Sequence, residues 1–394
     1  MIKIFFVLVF VIGLLCEMVV YRRFFIRATK ALRLCYLILA VVIPLAAGIS
    51  MYLNSRLVSS DSMAVASWAT WLFVLNLKIK ILVSWVVLAE AIARRRFRYS
   101  AHISIFLALL AGYFLIGGAT FGRNNLRVEQ IEISSDRIPA SFDGYRIAQF
   151  SDTHLGNLSW THIMEDLVLA INSFDVDLVF QTGDLVNTHY QELYEYIPIL
   201  SQIESRDGVV SVLGNHDLGF YLAPDFWITP QQTFDSLRAM QRERLGWILL
   251  ENDSFFVHRG GDSIAVAGVT YPSDMNHNNR NADFGGSDLS RAMRGVSDST
   301  YSILAAHTPK MFDSIPLVSK VDLTLSGHVH AMQAKIKIGD WQWSPAKFMY
   351  DEYSGFYQRD DYMLYINDGI GYVIYPMRIA AQPELTIITL RHKK

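Results

Sequence analysis

Four long apolar stretches open the chain, at about residues 4–20, 31–53, 64–91 and 101–122. Each approaches or exceeds the roughly 20 residues that a helix needs to span a bilayer. The first is read as a retained helix rather than a cleaved leader: Tyr21-Arg22-Arg23-Phe24-Phe25 follows it where small residues would be expected at a cleavage site. Asn76, Lys78 and Lys80 interrupt the third stretch near its middle. Charges at that depth face a bundle interior or a watery cavity, as an anionic headgroup site would require, or reach toward an interface.

From Arg123 onward the pattern changes to short apolar runs alternating with helical periods. Arg146–Phe150 reads as a strand, residues 161–173 place Ile163, Met164, Leu167, Val168 and Ile171 on one helical face, and Val176–Phe180 reads as a second strand. A helical stretch around 189–204 and a strand at 209–213 repeat the unit. Further strands are predicted at 263–268, 301–306, 321–325, 334–338, 362–366 and 384–390. The expected architecture is an all-α membrane module of about four helices over residues 1–122 and a linker with a first strand over 123–142. An α/β domain over 143–394 completes it, a mixed β-sheet sandwich flanked by helices.

Composition supports this division. The 394 residues are 52% hydrophobic and only 18% charged, with a mean hydropathy of +0.23, too apolar for one soluble domain. Residues 1–122 carry 13 Lys/Arg and 3 Asp/Glu, and the remainder carries 22 and 34, so a net +10 precedes a net −12. Arg22, Arg23, Arg27, Lys30 and Arg33 crowd the first loop and Arg94, Arg95, Arg96 and Arg98 the third, while the second has only Arg56, offset by Asp61. The positive-inside rule then turns loops one and three to the cytoplasm. It makes the protein a multi-pass inner-membrane protein with an extracytoplasmic acidic domain. Cys16 and Cys35, the only cysteines, both lie in apolar segments, which excludes a disulfide framework and a cysteine metal site.

The chemistry sits at the strand ends. Ser151-Asp152-Thr153-His154 follows the first strand, Gly183-Asp184 the second and Gly214-Asn215-His216-Asp217 the third; Ala306-His307 and Gly327-His328-Val329-His330 follow later ones. In open α/β sheets ligands gather outside the carboxyl ends of strands, and carboxylate with imidazole suits Mn, Fe or Zn. Singly, each motif is weak. Together they take five of the 11 histidines. His102, His162, His189, His258, His277 and His392 read as surface or structural residues.

This ordered set resembles the calcineurin-like metallophosphoesterase superfamily over roughly residues 143–392. The ending Asn367-Asp368-Gly369-Ile370-Gly371, Pro376-Met377-Arg378 and Pro383-Glu384-Leu385 is similar to its membrane-attached bacterial branch. The resemblance implies two divalent metals, one held by Asp152, His154 and His330 and the other by Asn215, His307 and His328, with Asp184 bridging. It also implies His216 as the catalytic histidine, oriented by Asp217, and phosphate-ester hydrolysis by attack of a metal-bridging hydroxide. Where that branch often has two glycines and a glutamine after its last motif, this chain has Ala331-Met332-Gln333, so the substrate floor differs.

A net −12 domain is a poor surface for nucleic acid. The expected substrate is a small phosphoester or a lipid headgroup, with the membrane as partner. Trp341 and Trp343, with Phe220, Tyr221, Phe226 and Trp227, form either an apolar lip for acyl chains or local loop packing. The rivals are a diphosphate hydrolase resembling the UDP-diacylglucosamine pyrophosphatases, a sensor or transporter with a regulatory phosphoesterase domain, and a binding module on a retained scaffold.

Overall fold

The computed structural model describes residues 2–393 apart from 55, 58, 160, 273–285 and 340. The polar loop read at 271–300, with His277 and Arg280, lies largely outside the described residues. Two compact units emerge, one of residues 1–54, 65–120 and 374–377 and the other of 55–64, 121–373 and 378–394.

The first unit contains α1 (Ile2–Val20), α2 (Lys30–Asn54), α3 (Ser60–Ile92) and α4 (Ser100–Gly117). Among the described residues three stretches, Lys30–Leu53, Asp61–Ile92 and Ser100–Gly122, are long and apolar enough to cross a membrane. Their outer faces stay apolar and uncovered: Leu109 is 69% exposed and Phe106 62%, as lipid-facing helices require. Lys80 pairs with the Glu17 carboxylate, which also accepts from the Tyr36 hydroxyl. The lysine has its partner on another helix, while Lys78 is exposed. Arg23 bridges Glu90 at 3.4 Å and donates to Ser100 Oγ at 2.7 Å, so the first and third basic loops meet at one end of the helices.

The second unit is a sandwich. Its strands are β1 (Arg127–Ser135), β2 (Arg146–Phe150), β3 (Leu178–Gln181), β4 (Val209–Ser211), β5 (Ile248–Leu249), β6 (Asp253–Arg259), β7 (Asp262–Gly268), β8 (Ser302–Ala305), β9 (Leu323–Ser326), β10 (Ile336–Ile338), β11 (Trp341–Trp343), β12 (Gly355–Arg359), β13 (Tyr362–Ile366) and β14 (Glu384–His392). One six-stranded sheet runs β1-β14-β2-β3-β4-β5 and the other β12-β13-β9-β8-β7-β6. In the first, β14 is antiparallel to β2, and the β1–β14, β2–β3, β3–β4 and β4–β5 pairs are parallel.

The pleat sends Ile147, Phe180 and Val210 inward to meet Ile264, Ile303 and Leu325 of the facing sheet. Ala148, Phe150 and Val179 point the other way, onto Ile163, Leu167 and Ile171 of helix α5 (Ile163–Ser173). The helix expected at 189–204 is instead a 3₁₀ turn, Tyr190–Leu193, and one short helix, Ile197–Leu200, that begins around Pro198. Proline suits a helix start and stops an earlier helix from running through it. The strand expected at 334–338 joins neither main sheet. Ala334 makes an isolated parallel bridge with Ile379, and residues 336–338 pair with β11 as a two-stranded hairpin.

Candidate metal centre

The carboxyl ends of β2, β3 and β4 in one sheet and of β8 and β9 in the other converge. Backbone bonds lace these turns together: Asp152 N–H donates to Gly183 O at 2.9 Å, His154 N–H to Asp184 O at 3.2 Å, and Gly327 N–H to His307 O at 3.0 Å. Between the sheets, His328 N–H donates to Asp152 Oδ2 at 2.9 Å.

The side chains are aimed by uncommon backbone. Asp152, His154, Asp184, His328 and His330 all have positive φ, from 43° to 71°. Such conformations cost on the order of 1–3 kcal/mol each and persist where the surroundings over-determine them. Here the surroundings are crowded. A Cβ on Gly214 would lie 2.1 Å from Asp184 Oδ1, and one on Gly183, itself at φ +97°, 2.4 Å from His307 Nδ1.

The donors fall into three overlapping groups: Asp152, His154 and His330; His154, Asp184 and His216; Asp184, His307 and His328. His330 Nε2 lies 3.1 Å from Asp152 Oδ1 and 3.0 Å from His154 Nε2. His307 Nε2 lies 3.1 Å from Asp184 Oδ2 and 3.2 Å from His328 Nδ1. Asp184 belongs to two of the groups, and its Oδ2 is also 3.8 Å from His154 Nε2. Donors bound at about 2.1 Å to a shared ion sit roughly 3–3.5 Å apart, so this spacing fits divalent cations. Asn215 fits as well: its amide nitrogen donates to Tyr221 Oη at 2.8 Å, while its buried Oδ1 has no hydrogen-bond partner.

Electrostatics prepare the same donors. Burial works to raise the Asp152 and Asp184 carboxyls, but His330 for the first and His307 for the second outweigh it, and both are held below the usual carboxylate range. Burial works to lower His307, and Asp184 overcomes it, raising the imidazole to about 9. Burial pushes His328 down to about 3 and His154 well below its ordinary value. Ionised carboxylates therefore stand beside two neutral imidazoles, His154 and His328, while the Asp184 charge that favours a proton on His307 would equally favour a cation there.

Outer bonds hold the rings. His307 Nδ1–H donates to Thr182 O at 2.8 Å, and Tyr350 Oη lies 3.1 Å from His328 Nε2. Arg378, fully buried, donates to the carbonyls of Asp368, Gly371 and Ala381 and places its remaining amino group 3.2 Å from His330 Nδ1.

The expected pairing of Asp217 with His216 is corrected. His216 Nδ1–H donates to Asn187 O at 2.6 Å. Asp217 accepts from the N–H groups of Val186 and Gly214 at 3.1 and 2.9 Å. It ties two ligand-bearing turns together, and burial with the nearby Asp184 charge raises it to about 7. Asn187, Tyr350 and Arg378 were not assigned site roles from sequence. Asn187 closes the run that Gly183-Asp184 begins, but its contribution is a backbone carbonyl, which residue type does not reveal. Of the other histidines, His392 donates to Ile138 O at 2.6 Å and the His162 side chain is 90% exposed.

Comparison with known proteins agrees with this geometry. A family profile described as calcineurin-like phosphoesterase matches residues 145–332. A Bacillus subtilis protein named uncharacterized metallophosphoesterase YkuE is 31% identical over 300 residues, 73% of this chain and 95% of that one. A Danio rerio transmembrane protein with metallophosphoesterase domain is 30% identical over 309 residues, covering 77% of this chain but 65% of its own length, less than two thirds. A Helicobacter pylori protein named uncharacterized metallophosphoesterase is 27% identical over 302 residues, 76% of this chain and 73% of its own.

Proposed function

The chain belongs to the calcineurin-like metallophosphoesterases, metal-dependent phosphoester hydrolases; from that premise we propose a membrane-anchored enzyme whose catalytic domain, residues 143–394, holds two divalent cations. The observation that carries this is the Asp184 carboxylate, shared between the group containing His154 and the group containing His307 and His328. Asp152, His154 and His330 would hold one cation and Asn215, His307 and His328 the other, with Asp184 available to both; Mn, Fe and Zn all suit the donor set.

When bound, such a pair supplies Lewis acidity to a phosphoryl group and lowers the pKa of the attacking water. The residues do the rest. Asn215 offers an oxygen without adding negative charge against the incoming phosphate. His216, its Nδ1–H engaged by Asn187 O and its ring stacked on Tyr221 with centroids 4.0 Å apart, keeps Nε2 to pass a proton to the leaving oxygen. Asp217 positions the turns and stays out of proton transfer. The net −12 of residues 123–394 disfavours nucleic acid and favours a small phosphoester or a lipid headgroup.

The test uses the full chain in detergent, stripped of metal and reloaded with Mn²⁺, Fe²⁺ or Zn²⁺, with bound metal counted and hydrolysis followed on aryl phosphate mono- and diesters. Asp184→Asn is expected to abolish paired metal binding and turnover together. His216→Ala is expected to keep the metals and lose about 10²–10⁴-fold in kcat. Full turnover in Asp184→Asn would overturn the proposal, and loss of metal in His216→Ala would make that histidine a ligand instead.

A further inference from the structure

The β10–β11 hairpin is left unexplained by the metal centre. Its register sets Ile336 opposite Trp343, Lys337 opposite Gln342 and Ile338 opposite Trp341. Directly opposed residues share a face, as do residues two apart along a strand. Ile336, Ile338, Trp341 and Trp343 therefore form one wholly apolar face. It points into open space: Ile338 is 70% exposed, Trp341 56% and Ile336 49%. Phe348 extends it at 82% exposed, its ring 6.2 Å from that of Trp343. On the opposite face Gln342 fastens the hairpin to its own unit, donating to Ser354 O at 2.9 Å.

A two-stranded hairpin outside any larger sheet is marginal in water by itself, and an exposed apolar cluster of this kind marks a surface that is covered in use. The residue types say by what. Tryptophan flanked by lysine is the composition of a membrane interface, where the indole sits at headgroup depth and the ammonium meets lipid phosphate. Lys347 is exposed next to Phe348 at the edge of the apolar face, and Lys337 is exposed on the opposite face with Gln342. Of the three lysines in residues 331–350, Lys335 is buried against Asp368, so Lys337 and Lys347 are the exposed cations of the hairpin region within a domain of net −12. The chain carries its own membrane-length helices, which keep a lipid surface at high effective concentration. The hairpin also starts just after the His330 turn and runs on to Tyr350, whose hydroxyl meets His328.

We propose that the face formed by Ile336, Ile338, Trp341, Trp343 and Phe348 inserts into the lipid–water interface and presents the metal centre to phosphate esters of membrane lipids. The second half of that statement rests on the phosphoesterase reading above, and the first does not. Lys347, next to Phe348, adds attraction to anionic headgroups, and the apolar face supplies the insertion.

The experiment uses the full chain reconstituted in phosphatidylcholine–phosphatidylglycerol vesicles. In a background with Cys16→Ala and Cys35→Ala, Ile338→Cys is labelled with bimane, as is Gln358→Cys on β12 as control. Brominated acyl chains are expected to quench the label at 338 and spare that at 358. Equal quenching at both positions, or a label at 338 that stays open to aqueous iodide, overturns the docking; a protein partner would then be the occupant to seek. In the second arm Trp341→Ser with Phe348→Ser is assayed on phosphatidic acid in vesicles and on a soluble aryl phosphate. The lipid rate is expected to fall about tenfold or more with the soluble rate unchanged. Equal loss on both makes the hairpin a structural support and overturns the proposal. If the unaltered protein hydrolyses neither, the function proposed above fails, while the quenching result still decides the docking.

Discussion

Gly327 shows how tightly single positions are constrained around the metal centre. A Cβ there would lie 2.0 Å from Ser151 Oγ and 2.2 Å from Asp152 Oδ2, both on the turn that carries Asp152 from the facing sheet. Gly327→Ala is expected to cost about 1–3 kcal/mol, the range for overpacking a filled interior, and to weaken metal binding by displacing Asp152. Thermal unfolding and a metal titration on one preparation check this; a variant with unchanged midpoint and affinity would show that the two turns can part freely. The seven residues expected as ligands were read as residue types following apolar strands, because ligand chemistry is a property of the side chain. Asp217 was legible only as an acid beside a histidine. Its side chain bonds backbone N–H groups of Val186 and Gly214, which a list of side chains does not disclose. The carbonyl of Asn187 under His216 was hidden for the same reason.

At the scale of elements, β2, β3 and α5 follow their periodicity because each buries a continuous apolar face. The helix expected at 189–204 did not form as one piece, since Pro198 favours a fresh start over continuation. A strand was expected at 334–338, and β10 forms there, yet its isoleucines face outward on an isolated hairpin. Alternation reports a two-faced strand and is silent on what covers the apolar face. In the helical unit, Lys80 was conspicuous in the sequence, and its partner Glu17 was not, being far along the chain and on another helix. Lys80 is 9% exposed, so removing one partner leaves an uncompensated buried charge. Lys80→Met is expected to destabilise the helices by about 3–5 kcal/mol, and Glu17→Leu with Lys80→Met to recover most of it. Unfolding in detergent, followed for the single and double variants, measures this. Identical losses in both would mean that the pair contributes no coupling.

For the molecule as a whole, charge distribution predicts topology. The first and third loops carry most of the basic residues of the front third and meet through Arg23, Glu90 and Ser100, which puts them on one side of any membrane the helices cross. The positive-inside rule assigns that side to the cytoplasm and, with Ser100–Gly122 crossing after the third loop, predicts the catalytic domain on the other. An alkaline phosphatase fused after the last residue is then expected to be active and a green fluorescent protein dark in a bacterial inner membrane. The reverse pair of results would place the phosphoesterase site in the cytoplasm and overturn the orientation read from the loop charges.

The sequence alone determined what depends on composition and local order: an apolar basic front, an acidic α/β back, and ligand types placed after strands. Hydrophobic periodicity and charge are additive along a chain, so they can be read without knowing the fold. Only the tertiary structure decided that β14, near the end of the chain, lies between β1 and β2. It alone showed that Asp184 stands between two groups of imidazoles, and that a short apolar hairpin faces outward beside them. Those are relations between segments far apart in sequence. They are set by which faces find each other when the two sheets close over a common core.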